Sequence, residues 1–353
     1  MKAILPMKRA VWAVDVFEEQ DDLIERAAQL VAYFNSESSI EIQPVHVLTS
    51  YSRDLPAEFE DHWLQIQGWQ EVEETWEKKH IDFAKERFVG IMKQFNLKNI
   101  LEPAILNPEF SSSDSDLVDA VSDFAFNSNA DFIIANTHGK RGLDRFMLGS
   151  FAETLLMRSK VPVLIAGYRG KEHTAIRKIF FPTEFGEHSR DVFRRVISFA
   201  KLTHAEVILY HVAADPSEPK PGRVNPLTWL PRTSPQLMQA VLAFQSYMDL
   251  QVKRAEKWRL AAEKEGITVT VVIETDGHPV DLLIHEKAIA FGADLIMMEA
   301  QRGPIRGAIL GSNTRKVVRQ AETPVFVFTY NYFKSHEVPK TPHGEDYSDI
   351  SGV

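Results

Sequence analysis

Apolar and polar positions along the chain follow two rhythms. Short, nearly continuous apolar runs such as RAVWAV, EIQPVHV and DFIIAN read as strands buried on both faces, the pattern of a parallel sheet covered by helices. Between them lie stretches with apolar residues three and four apart, for example Leu23, Ala27, Leu30, Val31 and Phe34, the stripe of an amphipathic helix. Long Trp-bearing helices are expected over 69–95 and about 234–265. Third strands follow in NILEPAILN and ITVTVVIET, and further helices in DSDLVDAVSDFAF and HPVDLLIHEKAIAFG. Regular alternation of strand and helix, with right-handed crossovers, predicts an α/β fold of doubly wound parallel sheets, flavodoxin-like or Rossmann-like.

The pattern occurs twice. ADFIIANTHGKRGLDRFMLGSFAETLLMRSKVPVLIAG at 130–167 is matched by ADLIMMEAQRGPIRGAILGSNTRKVVRQAETPVFVFTY at 293–330. The Gly-Ser pairs lie 311 − 149 = 162 residues apart and the Pro-Val pairs 324 − 162 = 162, so register holds from the Gly-Ser to the last strand. The starts of the halves also correspond, each a short strand, an acid (Asp15 or Glu184) and a helix, and each second strand carries a His-Val near its end. The expected organisation is one five-stranded domain at 1–170, a second at 171–333, and a disordered polar tail at 334–353. The Pro- and Gly-rich stretch 214–235 is too long for an ordinary connection and reads as a lid or surface excursion.

Composition narrows the function. Zero cysteines exclude disulfides, a thiol nucleophile and thiolate metal sites. A formal charge of −9 argues against nucleic acid as a partner, because such binding rests on clustered Lys and Arg. No run of about 18 apolar residues predicts a membrane span. The early charges at Lys8 and Arg9 leave no signal-peptide core, so a cytoplasmic location is the expectation.

The loop between DFIIAN and the helix near Ser150 is the leading chemical candidate. In open α/β sheets ligands bind beyond the carboxyl ends of strands, where the strand order reverses. Gly139 and Gly149 permit close backbone approach, and free amides and the Ser150 hydroxyl at a helix start suit phosphate. His138 is the best-placed histidine for ligand contact, and Lys140, Arg141 and Arg145 supply charge. The bland alternative is a plain turn with Ser150 as N-cap. No G-x-x-x-x-G-K-[ST] or G-x-G-x-x-G is present.

Asp15 after the first strand, His-Val on the second, and THGKRGLDRFMLGS together resemble the universal stress protein family, over both halves of the chain. Nucleotide-binding members of that family carry Gly-x2-Gly-x9-Gly-Ser/Thr. Gly139 and Gly149-Ser150 match the later elements, and Asn136 stands in place of the first Gly. The resemblance implies an adenine nucleotide, ATP or AMP, with Mg²⁺ accompanying ATP. It also implies contacts from Asp15 and from Val47 at the adenine edge. In the second half the counterparts are Glu184, Val212, Gly311 and Ser312. Counting back from Gly311 puts Met298 at the first Gly and Gln301 at the second, so that loop is degenerate.

Universal stress domains commonly pair through their last strands. An intramolecular pseudo-two-fold dimer, VPVLIAG against TPVFVFTY, is therefore expected, with protein partners or a homodimer beyond it. Three functions stay open: a stress-response regulatory protein that binds nucleotide, a nucleotide-free scaffold, and a weak ATPase or group-transfer enzyme. The last needs a Mg²⁺ carboxylate, for which Asp15 and Asp144 are the candidates. No His-x-x-x-His or His-Glu-x-x-His is present, and His46 and His211 read as satisfying backbone groups. In the Ser-rich 107–121, Ser and Asp read as the cap of a helix starting near Asp116, and EVEETWEKKHIDFAKERF reads as a solvated helix face.

Overall fold

The computed structural model describes residues 7–16, 21–48, 69–98, 100–107, 113–136, 149–167, 175–186, 189–215, 217, 229–300 and 310–336, with backbone alone for 21–23 and 69–77. The chain divides into two compact units, one built on residues 8–174 with 329–335, the other on 175–328.

The first unit contains β1 (Arg9–Ala13), α1 (Asp21–Glu37), β2 (Glu41–Val47), α2 (Trp69–Gln94), β3 (Ala104–Leu106), α3 (Asp114–Asn127), β4 (Phe132–Asn136), α4 (Ser150–Arg158) and β5 (Val163–Ala166). The second contains β6 (Lys178–Pro182), α5 (Ser189–Thr203), β7 (Glu206–Ala213), α6 (Pro235–Lys264), β8 (Val269–Thr275), α7 (Val280–Ala290), β9 (Leu295–Glu299), α8 (Ser312–Gln320) and β10 (Val325–Phe328). A further helix, α9 (Tyr330–His336), follows.

Strand order is β3-β2-β1-β4-β5 in the first unit and β8-β7-β6-β9-β10 in the second, with parallel neighbours throughout each. This is the expected doubly wound α/β fold. The order reverses between β1 and β4 and again between β6 and β9, and such a switch point opens a crevice at the carboxyl ends of the strands.

The continuous apolar strands are buried because helices cover both faces. Ala10 to Trp12 and Phe132 to Ile134 are sealed from solvent, and Phe34 of α1 meets Phe132 edge-on at 5.5 Å between centroids. In the second unit Phe199 of α5 packs on Phe326 of β10, and Trp258 of α6 stacks on Phe193 at 4.7 Å. Burying each large ring stabilises its unit by roughly 1.5–3 kcal/mol.

The repeated Ala-Asp has a physical cause. Asp131 Oδ2 accepts from the backbone N–H of Lys8 at 2.6 Å and of Arg9 at 3.0 Å, tying the entry of β1 to the entry of β4. Asp294 Oδ2 does the same for Arg177 at 2.8 Å and Lys178 at 2.9 Å. Each carboxylate fixes the register of the two strands that flank the switch point.

Two expectations shift. The Ser-rich cap is confirmed in kind, but α3 begins at Asp114, and Ser113 is the N-cap, accepting from the Asp116 N–H. The polar tail was expected from residue 334, yet α9 runs to His336, with polar side chains at and just before its start bonded to backbone carbonyls. Asn331 Nδ2 donates to the Arg158 carbonyl at 2.9 Å and Thr329 Oγ1 to that of Ser159 at 2.8 Å, which satisfies carbonyls at the end of α4. Residues 337–353 lie outside the described residues, as does most of the excursion read at 214–235.

Candidate functional site

At the first switch point β1 delivers Asp15 and β4 delivers Asn136. The parallel pairing of Ala10–Trp12 with Phe132–Ile134 brings both strand ends to the same edge of the sheet. Asp15 is largely exposed, while Asn136 is 8% exposed and its Oδ1 is buried with no hydrogen-bond partner among the described residues. An acceptor in that state costs about 1–3 kcal/mol unless a donor arrives.

The helix that follows starts at Ser150, where the sequence reading put it, and the alternative of Ser150 as its cap fails. Gly149 is the N-cap of α4, with φ −61° and ψ 151° and no side-chain cap bond, so Ser150 is the first helical residue and not the cap. The first intrahelical bond runs from the Glu153 N–H to the Gly149 carbonyl at 3.0 Å. The N–H groups of residues 150–152 therefore have no partner within the helix, and Ser150 lies exposed beside them. His138, Gly139 and Arg141, with Lys140, Asp144 and Arg145, fall outside the described residues.

The second strand closes the other side. His46 is buried, with Nδ1 3.2 Å from the Val14 carbonyl and 3.8 Å from Asp15 Oδ1. Burial holds its pKa below the ordinary value against a partial lift from Asp15, and buried His80 of α2 lowers it further. Val47, the expected adenine edge, is half-buried at the end of β2.

The second unit repeats the arrangement with different side chains. Glu184 is exposed where Asp15 stands in the first unit, and Val212 is half-buried near the end of β7. His211 Nδ1 donates to the Thr183 carbonyl at 2.7 Å, which leaves Nε2 to accept from the Tyr247 hydroxyl at 3.2 Å. Burial again depresses the histidine pKa. Tyr210 donates to Glu274 Oε1 at 2.7 Å, and Lys287 binds the other oxygen at 2.6 Å. Burial first, then Glu274, pushes the phenol pKa up. Tyr247, which the sequence did not single out, lies on the same face of α6 as buried Gln251 and Trp258, four and eleven residues on.

Gly311 is the N-cap of α8, also without a side-chain cap, and Ser312 is its exposed first residue. The count back from Gly311 needs correction. Strand register is anchored by Asp131 and Asp294, an offset of 294 − 131 = 163, which sets Glu299 and not Met298 at the place of Asn136. The second loop is one residue shorter than the first. Glu299 Oε1 accepts from Ser189 Oγ at 2.8 Å. A cavity of about 60 Å³, open on one side, lies among Glu184, His211, Met298, Glu299, Asn313 and Thr314.

Among the described residues no group of three or more His, Asp or Glu is placed to hold a metal ion. No described helix is long and apolar enough to cross a membrane.

The model of the universal stress protein family matches residues 7–167 and again 175–329. No curated protein matches the chain. A universal stress protein from Archaeoglobus fulgidus DSM 4304 is 20% identical, aligned over 91% of this chain and 98% of that one, with a TM-score of 0.54. A functionally unknown protein from Pseudomonas aeruginosa PAO1 is 13% identical over 94% and 95%, with a TM-score of 0.56. At these identities the likeness is one of fold.

Proposed function

The chain belongs to the universal stress protein family, in tandem form, and from that premise we propose that its first unit binds an adenine nucleotide, ATP or AMP, as a stress-response regulatory protein. The observation that carries this is the buried Oδ1 of Asn136 at the carboxyl end of β4, which has no hydrogen-bond partner among the described residues. It is an acceptor awaiting a ligand hydroxyl or amine. Two neighbouring features support it. The start of α4 at Gly149 has no side-chain cap, and free amides with the positive end of the helix dipole suit a phosphate. Asp15 is an exposed carboxylate that suits ribose hydroxyls.

In this reading Asn136, Gly149 and Ser150 hold the ligand's polar groups, together with Gly139 from the sequence motif, and Val47 meets the base. The bound nucleotide supplies a signal, and Mg²⁺ arrives with ATP on its phosphates. The chain's own residues bind and orient it.

The test is direct. The chain is purified without added ligand and denatured, and the released small molecules are identified; ATP, with and without Mg²⁺, is then titrated by calorimetry. One equivalent bound, lost in Gly139→Val, is the expected result. Recovery of no nucleotide, with no binding at millimolar ATP, sinks the reading.

A further inference from the structure

The second unit carries its own substitute for a ligand. Strand register puts Glu299 where Asn136 stands in the first unit. Glu299 is held on two sides. Ser189 Oγ, fully buried at the start of α5, donates to its Oε1 at 2.8 Å and itself accepts from the Gly186 N–H at 3.0 Å. Thr314 Oγ1, in the first turn of α8, donates to the Glu299 backbone carbonyl at 3.3 Å. Asn313 and Thr314, residues of that first turn, line the same small cavity as the carboxylate, and Glu184 adds a second negative charge there.

We propose that Glu299 is a built-in occupant that closes the second unit to nucleoside phosphates and limits the chain to one nucleotide. The proposal rests on the reading that the first unit binds an adenine nucleotide. Any ligand bringing phosphate to the start of α8 would have to approach a carboxylate that a hydrogen bond from Ser189 holds in place. Like charges that close in a partly buried site repel strongly, and a built-in repulsive group is an effective way to refuse a ligand. The side chain also fills space. An Asn or Gly at this position would leave the cavity larger and with Glu184 as its remaining carboxylate.

Equilibrium dialysis of the 353-residue chain against ATP tests this with E299G and E299Q. E299G should bind one equivalent more than the unsubstituted chain, and that increment should persist when Gly139→Val is added. E299Q keeps the size and the Ser189 donor while removing the charge. It should raise second-unit affinity at least about 10-fold, and it decides the matter if circular dichroism shows that E299G does not fold. No increment in either folded variant overturns the proposal, as does an unsubstituted chain that binds two equivalents. An unsubstituted chain that binds none sinks the first-unit reading alone, and the difference between it and the variants still decides this one.

Discussion

Replacing Asn136 by Leu should separate stability from binding. Substituting a buried residue ordinarily destabilises by about 1 kcal/mol. Here the removed oxygen has no donor among the described residues, and its desolvation weighs about 1–3 kcal/mol against the ligand-free fold. Leucine has nearly the same shape and no polar atom. The net gain is about 0–2 kcal/mol, so ligand-free N136L is expected to melt between the parent's temperature and about 8 °C above it, since 1 kcal/mol corresponds to roughly 2–4 °C for a unit of this size. Binding moves the other way. ATP at 100 times its Kd adds about 2.7 kcal/mol, a rise of about 5–10 °C in the parent. Loss of one hydrogen bond worth up to about 1.5 kcal/mol weakens Kd about 10-fold and halves that rise at the same ATP concentration. Thermal melts with and without ATP read both effects. A ligand-free N136L that melts several degrees lower would mean the amide is structural, and an undiminished ATP shift would remove Asn136 from the site.

Asp294→Ala leaves the N–H groups of Arg177 and Lys178 without their shared acceptor, so urea unfolding should show a loss of about 1–3 kcal/mol, with Asp294→Asn in between; a change under about 0.5 kcal/mol would contradict the anchoring role. The pKa values of His46 and His211 are lowered in the fold, so the unfolded chain binds more protons below its own pKa of about 6.5. The stability these residues contribute is complete above that pH and is lost as pH falls through it. Melting temperature should drop between pH 7 and 5, and less steeply in His211→Gln; a flat profile would refute the burial argument.

The sequence was most legible where one physical demand acts on a fixed spacing. Two copies of Ala-Asp, strand, Leu-Gly-Ser, helix and Pro-Val were visible because each strand pair needs its carboxylate anchor and each helix its start. Strand order was not legible, since periodicity says which face is buried and not which strand is the neighbour. The position of Glu299 was missed because the count began at Gly311. Counting from the Asp131 and Asp294 anchors gives an offset of 163 against 162 from the Gly-Ser, and that single unit of difference is the signal of a shortened loop. The helix start at Ser150 was legible, while the alternative of Ser150 as its cap rested on residue type alone, and Gly149 holds the N-cap position. Tyr247 left no mark in the sequence, because its partner His211 lies 36 residues away.

The bond from Thr329 Oγ1 to the Ser159 carbonyl joins residues 170 positions apart. A ribosome adding about 5–20 residues per second delivers Thr329 roughly 10–30 s after Ser159, by which time most of the second repeat has been made. Through that interval the exit of α4 is unfinished at the Ser159 carbonyl, and a product cut short before residue 329 keeps it so. The first unit thus carries a record of whether translation went on through its twin.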